Sequence, residues 1–126
     1  MKNLSDAEQL IMRIIWNEGG RIFLNELMKH LALADKNWKA NTVLTFLSRL
    51  AEKDMLKIEK YGRLNVYVAI VTEAEFAESQ TQSFISKIFD GDAKSLVASL
   101  MRLDCLTTDD LTELQEFWKG TKENAK

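Results

Sequence analysis

The chain has 126 residues, 46% of them hydrophobic, which suits one domain or a small domain with an appendage. It contains no run of about 18 apolar residues and no apolar signal-peptide region, so we predict a cytoplasmic protein without membrane insertion. The single cysteine excludes an internal disulfide and a metal site built from several cysteines.

The formal charge of −2 is unevenly distributed along the chain. Residues 1–71 hold 11 Lys and Arg against 8 Asp and Glu, a balance of +3, whereas residues 72–126 hold 6 against 11, a balance of −5. This asymmetry favours phosphate contact by the first half only, and a dimer would double the local positive charge. A net charge of +3 on the first half is weak evidence for DNA binding by itself, because chance also produces such a charge.

The first 34 residues are predicted to form two helices with a short strand between them. Ser5 and Glu8 have the spacing of a capping box, and the helix that they begin ends at a pair of glycines. Residues 21–23 suit a minor strand beside a hairpin. Apolar spacing then predicts a second helix up to about Ala34.

A third helix is predicted around residues 39–53, and its two faces differ. The face predicted to be buried carries Val43, Phe46, Leu47 and Leu50. The opposite face carries Asn41, Thr45, Ser48 and Glu52, flanked by Thr42 and Arg49. Because this second face is short, polar and lightly charged, it suits an approach to base edges in a DNA major groove. Trp38, just before this helix, and Trp16 in the first helix are predicted to anchor the core.

A hairpin around residues 56–69 is predicted to form a wing beside the third helix. The apolar residues predicted to share one of its faces are Leu56, Ile58, Leu64, Val66 and Val68. Gly62 provides the positive φ that the turn requires, and Arg63 follows it at the tip. A helix followed by a hairpin with an arginine at its tip indicates a winged helix-turn-helix.

Residues 72–126 are predicted to form three helices that make a dimerisation domain. Such a short segment buries little surface as a monomer, so we expect it to pair with a second copy. The alternative is that it packs on the winged helix of the same chain. The residues predicted to form the dimer contact are Phe84, Ile88, Leu96, Leu100, Met101, Leu114, Phe117 and Trp118.

The polar helix face and the wing supply the candidate DNA contacts. The candidate base contacts are Asn41, Thr42 and Thr45. The candidate backbone contacts are Lys39, Arg49, Lys60, Arg63 and Tyr67. An ordinary solvated helix face and wing are the alternatives, and packing is as good an interpretation of Tyr67. Arg63 is the strongest backbone candidate, because a hairpin tip can reach a phosphate or the minor groove.

The other reactive side chains form no recognised catalytic or metal site. His30 is the only histidine, which is too few for a zinc site. Asp90 and Asp92 flank a glycine but lack the further ligands of a calcium loop. Cys105 is predicted to be a small buried hydrophobe, with a redox sensor or an intermolecular disulfide as alternatives. We therefore predict no enzyme activity, no cofactor and no metal.

Several landmarks occur in a fixed order along the chain. They are residues 5–8, 15–16, 38–50 (W-x-x-N-T-V-x-T-F-L-x-R-L), 62–63, 67, 72–76, 89–92 and 95–97. In this order and spacing the chain resembles the BlaI/MecI family of penicillinase repressors over about residues 4–119. The resemblance implies an N-terminal winged helix over residues 1–71 and a C-terminal three-helix dimerisation domain over residues 72–126. It also implies a homodimer on an inverted-repeat operator in double-stranded DNA.

The resemblance also brings expectations about release from DNA. The family is released when a membrane sensor triggers proteolysis at an Asn-Phe bond, so a sensor or protease is an expected partner. The matching residues here are Ser99 and Leu100, so the usual scissile pair is absent. The family pattern has Lys where Asn41 stands, and Asn recognises adenine through two hydrogen bonds, so this departure can shift the preferred operator.

The predicted function is a homodimeric, sequence-specific transcriptional repressor that contacts its operator through the third helix and the wing. The alternative is a winged-helix protein-interaction module without specific DNA recognition. Protein interfaces favour aromatic or Met side chains at their centre, whereas this helix face offers Asn, Thr and Ser. The residue types therefore favour DNA.

Overall fold

The structure is a computed structural model that describes residues 2–124, with side chains through Thr121. Its elements are α1 Asp6–Asn17, β1 Arg21–Phe23, α2 Leu24–Leu33, α3 Ala40–Glu52, β2 Leu56–Tyr61, β3 Leu64–Ala69, α4 Glu73–Phe89, α5 Ala93–Arg102 and α6 Thr108–Asn124. The fold is mainly helical with a small β-wing, as predicted. The chain divides into two compact units, residues 1–80 and 81–126, and the division falls within α4. The domain boundary expected at residues 71–72 stays a prediction.

The capping box predicted at the start of α1 is confirmed. The Ser5 hydroxyl accepts from the Glu8 N–H at 3.2 Å, and the Ser5 N–H donates to the Glu8 carboxylate at 2.8 Å. This exchange satisfies two N–H groups that a helix start leaves without intrahelical partners. The same reciprocal pair occurs between Thr72 and Glu75 at the start of α4.

Aspartates follow the ends of four helices in a chain that has no proline. Asp35, Asp54, Asp90 and Asp104 have φ values of 60°, 59°, 50° and 59°. Short polar side chains tolerate this left-handed conformation better than most residues do, so each aspartate allows the chain to turn away from its helix.

The three strands form an antiparallel sheet in the order β1-β3-β2. Ile58 lies opposite Tyr67, and Val66 lies between Phe23 and Glu59. Directly opposed residues share a face of the sheet. Even-numbered residues of β2 pair with odd-numbered residues of β3, because the hairpin turn has only two residues. The prediction that Leu64, Val66 and Val68 share a face with Leu56 and Ile58 is therefore wrong.

The core of the first unit lies between α1, α2, α3 and one face of the sheet. Its buried members are Ile11, Met12, Ile15, Ile22, Leu27, Leu31, Val43, Leu47, Leu50, Met55, Leu56, Tyr67 and Phe76. Trp16 and Trp38 are half-buried and pack against this cluster, as predicted.

All the residues predicted to form a dimer contact lie in the second unit. Large exposed side chains in the single chain are Phe84, Ile88, Met101, Leu114, Phe117 and Trp118, whereas Leu96 and Leu100 are half-buried. Asp92 caps α5 by accepting from the Lys94 N–H. Within residues 2–124, no helix is long and apolar enough to cross a membrane.

The prediction that Cys105 is buried is wrong for the single chain. Cys105 is exposed, because it lies in the connection between α5 and α6 rather than on an apolar helix face. The preceding residue, Asp104, turns the chain there with a φ of 59°.

Candidate nucleic-acid interface

Helix α3 buries one face and exposes the other. Val43, Leu47 and Leu50 are fully buried. The exposed side carries Asn41, Thr42, Thr45, Ser48, Arg49 and Glu52. The structure thus brings the three candidate base contacts together on one exposed surface of the first two turns, where they can meet a base edge.

A hydrogen bond within α3 orients one of these candidates. The Thr45 hydroxyl donates to the Asn41 carbonyl oxygen at 3.0 Å. Its proton is therefore engaged, which leaves Thr45 with acceptor lone pairs and a methyl group for a partner. The exposed side-chain amide of Asn41 offers both a donor and an acceptor, the combination that matches the edge of adenine.

The N-terminal end of α3 presents a basic residue. Lys39 is the N-cap residue, with φ −71° and ψ 153°, and its side chain makes no capping hydrogen bond. It is exposed, as the candidate phosphate contact requires. The adjacent Trp38 ring packs on the Phe46 ring, with centroids 5.2 Å apart, which joins a residue just before the helix to the second turn of the helix.

The wing presents two further basic residues. Gly62 has a φ of 64°, and the exposed Arg63 follows it at the hairpin tip. Lys60 is also exposed, on β2. Lys57 is instead paired with Glu59 at 2.8 Å, and its hydrogen bond and charge hold the pKa of Glu59 below its ordinary value. Lys60 and Arg63 therefore remain the stronger phosphate candidates.

Tyr67 does not sit where a backbone contact would need it. Only 2% of Tyr67 is exposed, and its neighbours across the sheet are Ile22 and Ile58. This burial favours packing, the alternative that the sequence left open, over a DNA contact as the role of Tyr67. Its position on the core face of β3 follows from the hairpin pairing, which the sequence pattern did not reveal.

A cavity of about 480 Å³ lies between the start of α2, α3 and the wing. The residues lining it are Phe23, Leu24, Asn25, Leu44, Arg63, Leu64, Asn65 and Tyr67. The side-chain oxygen of Asn65 is buried without a hydrogen-bond partner. Neither Asn25 nor Asn65 belongs to a periodic pattern in the sequence that would have placed it in this cavity.

A partly buried ion pair connects α1 to the C-terminal end of α3. The Lys53 ammonium donates to the Glu8 carboxylate at 2.7 Å and to the Asn3 carbonyl oxygen at 3.0 Å. Glu8 is 2% exposed. The capping-box pattern identified Glu8, but its partner lies 45 residues away and had no sequence signal.

His30 lies beside the side chain of Glu18. Its Nε2 lies 2.9 Å from a carboxylate oxygen of Glu18. Among the described residues, no group of three or more His, Cys, Asp or Glu could hold a metal ion.

These elements define a winged-helix protein with a polar recognition helix and a basic wing, the class of fold that binds DNA. The chain also matches the penicillinase repressor family over residues 4–120. It belongs to that family, whose name describes a regulatory protein and not a class of enzyme.

Two curated relatives are similar over most of the chain. The penicillinase repressor of Bacillus licheniformis is 31% identical over 123 residues, which cover 98% of this chain and 94% of that one. The methicillin resistance regulatory protein MecI of Staphylococcus aureus strain N315 is 27% identical over 114 residues, which cover 90% and 91%.

Solved structures of the repressor BlaI match the winged-helix portion. Its DNA-binding domain in solution is 36% identical with a TM-score of 0.50, covering 60% of this chain and 93% of that chain. The monomeric form from Bacillus licheniformis, in complex with the blaP half-operator, is 35% identical with a TM-score of 0.50, covering 59% and 88%. The winged helix predicted from the sequence is confirmed.

Proposed function

We propose that this protein is a homodimeric transcriptional repressor that binds an inverted-repeat operator through α3 and the wing. The observation that carries the proposal is the exposed set of Asn41, Thr42 and Thr45 on a helix that buries Val43, Leu47 and Leu50 on its other side. These side chains would contact base edges. Arg49 and Lys39 on α3, with the two wing cations, would contact the DNA backbone.

We also propose that the protein acts in the cytoplasm, where operator DNA is accessible, and that it needs no cofactor. The relative in complex with the blaP half-operator supports DNA as the partner. The exposed apolar side chains of the second unit support pairing with a second copy, because large apolar patches often mark association surfaces.

The first test is fluorescence anisotropy of the full chain on labelled duplexes. The duplexes carry DNA from upstream of the gene that encodes this protein, DNA from upstream of neighbouring operons, or a scrambled sequence. Binding to each duplex is measured at about 50 and about 200 mM salt. We expect tight binding to one fragment that survives the higher salt. Equal binding to every fragment that disappears at the higher salt would favour the protein-interaction module instead.

A double substitution tests the recognition face itself. Asn41→Ala with Thr45→Ala should abolish the preference for the operator over scrambled DNA while leaving the dimer intact. Each good base contact contributes about 1–3 kcal/mol of discrimination, so the preference should fall by at least about tenfold. Ser48→Ala, on the same exposed face, is the matched control and should keep the preference. An unchanged preference in the double variant would exclude this face as the recognition surface.

A further inference from the structure

One tryptophan holds the start of α4 against the winged helix. The Trp16 indole Nε1, in the last turn of α1, donates a hydrogen bond of 2.8 Å to the carbonyl oxygen of Val71. The Trp16 ring also contacts the Phe76 ring, with centroids 5.8 Å apart and planes tilted by 41°. We call these three residues the Trp16 clamp. The hydrogen bond joins positions 55 residues apart in the sequence.

The two contacts of the Trp16 clamp lie just before α4 and within its first turn. Val71 directly precedes Thr72, whose hydroxyl accepts from the Glu75 N–H at 3.0 Å and thereby begins the helix. Phe76 lies in the first turn and is only 5% exposed. A helix held both before its first residue and one turn later is restrained in position and in direction.

The connecting segment beside the clamp borders an open space. The Ile70 N–H bonds to the Met55 carbonyl oxygen at 3.0 Å, which fixes the chain just after β3. The following residues line a cleft of about 380 Å³, together with Trp16 and Gly20. Because this cleft leaves room on one side of residues 71–73, close packing alone does not fix the segment, and the hydrogen bond from Trp16 restrains it.

We propose that the Trp16 clamp determines which half-site spacing the repressor accepts in its operator. Helix α4 continues without a break from the clamp to Phe89 and carries the chain from the first unit into the second. In a dimer, the direction in which each α4 leaves its winged helix controls the separation of the two recognition helices. That separation determines which half-site spacing fits, as in other dimeric DNA-binding proteins. Trp16 is therefore a positioning residue, and this inference rests on the proposed function.

The test compares complete, half and respaced operators. The complete operator is the inverted repeat that the full chain selects from a random-sequence library. The half operator is the same duplex with one arm scrambled. The respaced operators have about one or two base pairs inserted or removed between the two arms. Trp16→Phe keeps a ring for Phe76 and removes the N–H donor. We expect half-site affinity within about twofold of wild type. The preference for the selected spacing should fall about threefold to tenfold, the contribution of one hydrogen bond.

Two further variants make the result decisive. Trp38→Phe is the same change at a tryptophan that packs on Phe46 instead of α4, and it should keep the wild-type spacing profile. Phe76→Leu weakens the ring contact and keeps the hydrogen bond, so it should also broaden the spacing profile. Thermal unfolding of each variant verifies that it is folded, and Phe76→Leu provides the same test if Trp16→Phe does not fold.

Two outcomes would overturn the inference. If Trp16→Phe loses the same factor of affinity on half and complete operators, or keeps the wild-type spacing profile, Trp16 has only a structural role. If the wild-type chain binds one arm as tightly as the complete repeat, the proposed dimeric function fails and this inference fails with it. The wild-type measurement therefore distinguishes the two failures.

Discussion

Glu8 shows how a buried carboxylate depends on partners from two parts of the chain. Burial by itself raises the pKa of Glu8, but hydrogen bonds from Lys53 and Ser5 outweigh that effect and lower the pKa below its ordinary value of 4.5. The ionised form is therefore stabilised in the folded state. Because Lys53 is the residue that caps the C-terminal end of α3, the pair also fixes the end of the recognition helix.

Glu8→Gln should lower the free energy of unfolding at neutral pH by about 1–3 kcal/mol, because a charge-assisted hydrogen bond to Lys53 is lost. Because the pKa of Glu8 is lower in the folded state, the ionised carboxylate stabilises the fold fully at pH values above the unfolded-state pKa, near 4.5. That contribution is lost as the pH falls through the lower folded-state value. Urea unfolding of both proteins across this range should show the difference narrowing in acid, and a constant difference would contradict the role of the charge.

Arg63→Ala should weaken binding to operator and random DNA by the same factor, because a phosphate contact carries no base information. The slope of log affinity against log salt should become shallower by about 0.9. Anisotropy titrations over a salt series measure both quantities. Lys57→Ala is the matched control and should have a smaller effect, because Lys57 is already paired with Glu59. A loss confined to one base position would instead assign Arg63 to base recognition.

At the scale of the element, α3 begins without a side-chain cap. Lys39→Ser should supply a side-chain cap and stabilise the protein by about 0.5–1 kcal/mol. The same substitution removes the ammonium group, so DNA binding should become weaker and less dependent on salt. Lys39→Ala removes the charge without adding a cap, so it should weaken binding equally without stabilising. Thermal unfolding and anisotropy separate the two effects. Equal stability of the two variants would show that serine forms no cap there.

At the scale of the whole molecule, we expect the exposed apolar side chains of the second unit to form the dimer contact. Ile88 is 62% exposed and Phe117 is 71% exposed in the single chain. Ile88→Ser with Phe117→Ser should halve the mass in sedimentation, reduce affinity for the complete operator and preserve affinity for one arm. Leu33→Ser, at an 83% exposed leucine of α2, is the control and should leave the mass unchanged. A double variant that keeps its dimer mass would place the contact elsewhere.

The local features of this protein were predictable from its sequence. The capping boxes of Ser5 with Glu8 and of Thr72 with Glu75 involve residues three positions apart, and the first occurs as predicted. The buried face of α3 follows from helical periodicity in the same way. The candidate base contacts were predicted from the complementary face, which the structure exposes, and their contact with DNA stays a prediction.

Only the tertiary structure decided the features that join distant segments. The pairing of β2 with β3 placed Tyr67 on the core face of the sheet and Val66 on the opposite face. Because the turn has two residues, even-numbered residues of β2 lie opposite odd-numbered residues of β3 and share a face with them. The Glu8–Lys53 pair and the Trp16–Val71 hydrogen bond span 45 and 55 residues. Caps and helix faces are determined by sequence because their partners are covalently close. Contacts across the fold depend on how whole elements pack, and no local pattern specifies that packing.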